Sequence, residues 1–392
     1  MLAQLWSSII HAGKGRNPEL DFLRGVAVLM VMLHHNKYSH HLFYLGTTGV
    51  QLFFVLSGFL VGGLLLKEVL NTGNIKAGKF ILRRGFKIWP QFYVFLFIAL
   101  GIDWLLSTFT AYTSGPWGST NFNTNLLSEL FFFQNFFGNI YNVTWSLAVE
   151  EHFYLVLPLW AFVGIKLGLF NKDKSFLFVA TSIGLAMVFC TWSRVTDWHT
   201  SYTTGTWLHD RETFQHLDAL FFGVFLSYMN INRTNRIKSV LLSTVGKWIF
   251  PLFAFGLILI GLLTFGLSKG QGINNGTIKS GLGYTILYIG YGCLLIAMLY
   301  YPKVKTLATT PVVSSLYKFI GWTGFHSYAL YLWHYIIFML VKKFMIHTPL
   351  HGNENWPSFI IGFVASYFIA VITTHTVEKY FLSIRNRILP TT

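Results

Sequence analysis

Charge is scarce in this sequence: only 11% of its 392 residues are Asp, Glu, Lys or Arg. An average globular protein carries about a quarter. A soluble particle with so few charges could not cover its surface. That excludes a water-soluble enzyme, even one with an added anchor, and equally a disordered chain. Acidic residues are scarcer still, 14 against 29 Lys and Arg. A basic balance can signal nucleic acid, but here the cations sit between apolar stretches, so no nucleic-acid partner is expected. Cysteine is nearly absent. Cys190 and Cys293 each fall inside an apolar run and read as small core residues, which excludes a disulfide scaffold or a thiolate metal cluster. The chain has no glycine-rich phosphate loop, zinc motif or nucleotide-binding cassette. Nothing therefore supports an ATP-driven machine, and no metal is expected. There is also no G-x-S-x-G nucleophile elbow. Met1 to Gly15 lacks a charged start followed by a long apolar run, so no cleavable leader is expected.

Apolar length is what the sequence has. Hydrophobic residues make up 53% of it and its mean hydropathy is +0.52. A bilayer crossing needs roughly 20 mostly apolar residues. Ten stretches qualify: 20–38, 47–69, 89–109, 145–168, 175–193, 214–230, 246–268, 281–301, 319–341 and 357–378. The expected fold is an all-α polytopic membrane bundle of about ten helices. No repeat or composition break marks a second domain, so the reading is an N-terminal segment 1–19, one transmembrane domain 20–378 and a tail 379–392. Lys and Arg cluster in alternate connections, most densely at Lys67, Lys76, Lys79, Arg83, Arg84 and Lys87, and both ends are basic. Positive residues stay inside, which puts both termini in the cytoplasm. The connection 109–144 has no Lys or Arg; its segment LLSELFFFQNFF reads as an interfacial or re-entrant helix.

Ionisable groups at membrane depth are costly and are functional candidates by default. In LDFLRGVAVLMVMLHH, Arg24 and His35 are eleven residues apart. On a helix that is roughly 16 Å of rise and about 20° of offset, one face, with His34 turned away by about 80°. Arg24 would lie near the cytoplasm and His35 deeper, an arrangement suited to a donor entering from inside. The plainer alternative is a snorkelling arginine and a histidine that merely satisfies a carbonyl. In TWSLAVEEHFYLVLP, Ser146 and Glu150 stack at i and i+4 with Trp145 at the interface. Glu150 is the candidate to orient an imidazole, and Glu151 reads as an outer-surface carboxylate. Ser327, Tyr331 and His334 make one polar stripe in SYALYLWHYIIF, explained by interhelical hydrogen bonding or by a site. His216 and Asp218 fall on different faces of their helix. Ser57 and Gly58 read as a close helix contact. FILRRGFKIWP reads either as an interfacial anchor or as a phosphate clamp of Arg forks.

In order and spacing these segments resemble the acyltransferase 3 family of integral-membrane acyltransferases: LDFLRGVAVLMVMLHH, LFFVLSGFL, RRGFKIWP, WSLAVEEHFYLVLP, LDALFFG and SYALYLWH. Each alone says little; the series covers most of the chain. The resemblance implies transfer of an acyl group, commonly acetyl, from cytoplasmic acyl-coenzyme A to a hydroxyl of a carbohydrate or glycolipid. It implies His35 as the essential histidine, Arg24 as its paired arginine and Glu150 as the carboxylate of WSL-x-VE. Arg83, Arg84 and Lys87 occupy the basic motif that would hold the donor. Trp145, Ser146, Ser327, Tyr331, His334 and Asp218 are the expected acceptor-side residues. His152 and His216 depart from the family pattern, where Gln and Arg are frequent. His35 would act as general base or as an acyl-carrying relay. No appended hydrolase-like domain is expected, so such a partner would be a separate protein. The rival class is a transporter of a sugar, lipid or proton lined by the same residues. Missing repeat symmetry counts against it.

Overall fold

The computed structural model describes residues 17–35, 45–109, 121–171, 173–204, 211–267, 277–301, 311–345 and 355–390, and among these the only regular structure is helical. The first helix, α1 (Pro18–His34), starts where Asn17 caps it, accepting from the backbone N–H of Glu19 at 3.0 Å and of Leu20 at 3.4 Å. Proline at the first position and two acids in the first turn suit a helix N-terminus. The next helix, α2 (Leu45–Thr72), is apolar all round and is buried over most of its length, as a helix surrounded by others must be. It packs against α1 on one side and α8 (Leu217–Asn232) on the other. Glycines set that spacing. A Cβ on Gly58 would lie 1.9 Å from the Leu220 carbonyl oxygen, and one on Gly223 would lie 2.3 Å from that of Val55. The α2–α8 contact is therefore backbone against backbone. Gly324 does the same for α1 and α12 (Pro311–Phe325), with Asp21 O only 1.6 Å from the Cβ it lacks.

Around this centre stand α3 (Ala77–Phe109), α6 (Trp145–Lys166), α7 (Ser175–Thr204), α10 (Gly246–Leu267), α11 (Tyr284–Tyr300), α13 (Ser327–Met345) and α14 (Asn355–Thr373). The short α4 (Phe122–Leu130), α5 (Gln134–Phe137) and α9 (Thr234–Leu242), and the terminal α15 (Lys379–Ile388), complete the set. The outer helices α7 and α10 expose Leu185, Val188, Trp192, Trp248, Leu252 and Phe255. Contiguous apolar surface of that extent belongs against lipid chains, and the chain is a multi-pass membrane protein.

Among the described residues, seven helices are long and apolar enough to cross a membrane, at 45–72, 77–109, 145–166, 175–200, 246–264, 279–300 and 356–388. The other three expected spans fall short of that standard. Helix α1 has 17 residues and carries Glu19, Asp21 and Arg24; α8 has 16. The stretch expected at 319–341 is two helices that meet at His326. The third span begins at Ala77, not at 89, because Pro90 sits inside a continuous helix, which membrane helices tolerate when neighbours satisfy the freed carbonyl. The basic segment is thus the first half of α3. LLSELFFFQNFF forms α4 and α5, of nine and four residues, too short to cross.

Candidate active site

Three cavities follow one another through the bundle. The first, about 480 Å³, opens between α1, α2, α3, α6 and α8, and is lined by Arg24, Lys67, Arg84, Lys87, Asp21, Ser57 and Tyr154 among others. The second, a chamber of about 70 Å³, is lined by Arg24, Glu150, Ser146, Ser327, Tyr328 and Tyr331 with the apolar walls Val50, Phe53, Phe54 and Leu147. The third, about 100 Å³, contains His34, His35, Asn142, Trp145, Arg211, Tyr284 and Tyr331. Arg24 borders the first and second; Val50 and Tyr331 border the second and third. The Arg24–His35 spacing on α1 thus runs alongside a path from a basic cavity to a histidine-lined one.

Hydrogen bonds fix the walls. Tyr154 donates to Glu150 Oε2 at 2.6 Å, so the Ser57 hydroxyl, 2.9 Å from Tyr154 Oη, is the donor in that pair. Ser57 thereby belongs to the cavity wall, while its neighbour Gly58 makes the helix contact. Arg24 and Arg84 act on Glu150 through space, without a direct ion pair. Tyr331 donates to the Val143 carbonyl at 2.9 Å, and Ser146 Oγ lies 2.6 Å from its hydroxyl. His35, the residue that closes α1, meets His334 Nε2 through its Nδ1 at 3.0 Å. The turn of about 80° that helical geometry puts between the two histidines does not take them to different cavities. His34 lines the same cavity, its ring 5.2 Å from that of His35.

Several expected residues sit elsewhere. Arg83 lines none of these cavities; its guanidinium donates to the Leu389 carbonyl at 2.6 Å. Lys79 donates to the Pro390 carbonyl at 3.0 Å and Lys87 pairs with Glu378, so the basic half of α3 also holds the C-terminal helix. Asp218 is bound 2.8 Å from Arg194, both side chains buried, and lines none of the three cavities. Arg194 also donates to the Ser280 carbonyl, tying α7 and α8 to the turn before α11. Glu151 is no outer-surface carboxylate: it is buried and accepts from Trp89 Nε1 at 2.8 Å. Its helix packs against α3, which covers the face that the sequence left open.

Sequence reasoning passed over Glu129. It is fully buried on α4, and its Oε1 accepts from Ile140 N, Tyr141 N and Thr144 Oγ1 at 3.0, 3.3 and 2.8 Å. These bonds anchor the loop that delivers Trp145 and Ser146 to the path. Burial pushes the Glu129 carboxyl up to about 7, against the pull of those donors. The only charged residue in the connection 109–144 is the signal the sequence offers.

The chain belongs to the acyltransferase 3 family, whose model, described as an acyltransferase domain, matches residues 17–375. It is 25% identical over 384 residues to the peptidoglycan O-acetyltransferase OatA of Listeria monocytogenes, covering 92% of this chain and 55% of that one. It is 24% identical over 385 residues to a Bacillus subtilis protein named "Putative peptidoglycan O-acetyltransferase YrhL", covering 92% and 54%. The chain thus spans about half the length of the curated relatives it matches. No solved structure matches it. It is thus a membrane protein of an acyltransferase family.

Proposed function

We propose that the enzyme moves an acetyl group from acetyl-coenzyme A, bound on the cytoplasmic side, to a hydroxyl of a carbohydrate presented at the His35 end. The observation that carries this reading is the line of cavities from Arg24 to His35. The first cavity is of ligand size, and Arg24, Lys67, Arg84 and Lys87 on its wall suit the donor's phosphates. The narrow chamber beyond it has apolar walls and a few hydroxyls, as a thin pantetheine arm would need. The dense cation run 67–87, three of whose members (Lys67, Arg84 and Lys87) line the first cavity, favours a cytoplasmic position by the positive-inside rule. The relatives' names favour peptidoglycan as acceptor.

In the reaction, neutral His35 takes the acceptor's hydroxyl proton as the oxygen attacks the thioester carbonyl carbon. The tetrahedral intermediate collapses, the carbon–sulfur bond breaks, and the proton passes from His35 to the leaving thiolate. Arg24 and Arg84 hold the donor. Trp145 and Tyr284 offer aromatic faces to a sugar, and Asn142 a polar edge. Membranes containing wild-type or His35→Ala enzyme at equal levels, given radiolabelled acetyl-coenzyme A, test this. Label in the glycan fraction with wild type alone supports transfer through His35. Equal label with both removes His35 from the chemistry, and no label with a peptidoglycan acceptor present removes that acceptor.

A further inference from the structure

Glu150, the carboxylate expected to orient the catalytic imidazole, does not reach it. It is hydrogen-bonded by Tyr154 and lines the central chamber, whereas His35 lines the third cavity. What touches His35 instead is His334. We propose that His334 is the positioning residue of the site: a neutral imidazole that fixes which nitrogen of His35 carries the proton. This rests on the reading of His35 as the base.

The assignment follows from one obligate acceptor. His334 Nδ1 lies 2.9 Å from the carbonyl oxygen of Leu330, one turn earlier in α13. A carbonyl only accepts, so that nitrogen bears the hydrogen. In a neutral ring the other nitrogen, Nε2, then has only a lone pair. Nε2 faces His35 Nδ1 at 3.0 Å, and a hydrogen bond forms there only when His35 Nδ1 is protonated. His35 Nε2 is left as the basic nitrogen. His334 itself is fully buried, packed between the rings of Tyr331, Phe338 and His35. A dry, ring-lined setting keeps it neutral, because a buried cation without a partner is costly.

This arrangement does half the work of the third residue in an acyl-transfer triad. The triad carboxylate both selects the tautomer and stabilises the imidazolium by its charge. A neutral imidazole selects the tautomer without that charge. His35 is therefore oriented for proton transfer while remaining a weak base, ready to surrender the proton to the departing thiolate.

The experiment compares His334→Gln, whose amide oxygen reaches the position of Nε2 and accepts, with His334→Phe, which fills the space and does not. Both are assayed as full-length protein in membranes by label transfer from acetyl-coenzyme A, beside His35→Ala, after equal insertion and thermal midpoints are verified. The Phe variant should lose about 10²-fold or more in kcat, the scale of acid–base catalysis, with KM for acetyl-coenzyme A unchanged. The Gln variant should recover to within about tenfold of wild type. Near-wild-type kcat in His334→Phe, or a Gln variant as defective as Phe, overturns the proposal while leaving His35 in place. Activity surviving in His35→Ala overturns the underlying reading instead. If the Phe variant does not fold, His334→Ala with added imidazole replaces it; rescue supports the positioning role and no rescue in folded protein overturns it.

Discussion

Tyr331 gives its only proton to the Val143 carbonyl, 2.9 Å away, and so receives one from Ser146. This one hydroxyl joins α13 to the start of α6 at the boundary between the central chamber and the His35 cavity. Tyr331→Phe strands a buried carbonyl and a buried serine. The expected cost is about 1–3 kcal/mol, read as a lower thermal midpoint in detergent.

The two neighbouring arginines of α3 should separate cleanly. Arg84 lines the basic cavity, while Arg83 is turned onto the Leu389 carbonyl. Arg84→Gln is expected to raise KM for acetyl-coenzyme A at least about tenfold, the worth of one charge-assisted hydrogen bond. Arg83→Gln should change it by less than about twofold. Initial rates over a range of donor concentration decide between them.

Asp218 and Arg194 predict the opposite pattern. Removing one partner of a buried ion pair leaves an uncompensated charge and costs about 3–5 kcal/mol. Asp218→Asn should therefore lower the yield and thermal midpoint sharply. Protein that does fold should keep the wild-type donor KM, since the pair stands off the path.

Much of this site was legible in the chain. The eleven-residue interval from Arg24 to His35 follows from helix geometry alone, and the structure sets both residues along one path. The stripe Ser327, Tyr331, His334 also faces inward. What stayed hidden depended on partners distant in sequence. Nothing near Asp218 announces Arg194, 24 residues away; nothing near Arg83 announces the carbonyl of Leu389, 306 residues on. Glu151 was misread because burial on that face comes from α3, which no local pattern encodes. His34 shares the cavity of His35 despite its turn of about 80°, because the cavity spans both side chains at the end of α1.

Glu129 makes stability depend on pH. Its ordinary carboxyl value of 4.5 is raised to about 7 in the folded protein. Between these values the unfolded chain has released the proton and the folded chain keeps it, so stability falls as pH rises through that window. The slope from one group is at most about 1.4 kcal/mol per pH unit. Glu129→Gln, which keeps an acceptor for the same three donors, should flatten the change in thermal midpoint between pH 4.5 and 7. An unchanged slope would place the titration elsewhere.

The cavities joined at Arg24 and at Val50 and Tyr331 form one path from the basic cavity to His35. Sealed vesicles of one orientation test it most directly, with radiolabelled acetyl-coenzyme A confined to the face bearing Arg84 and a glycan acceptor confined to the other. Label accumulating on the enclosed acceptor with wild type, and absent with His35→Ala, is the predicted result. Label that appears only when donor and acceptor share a face would contradict it.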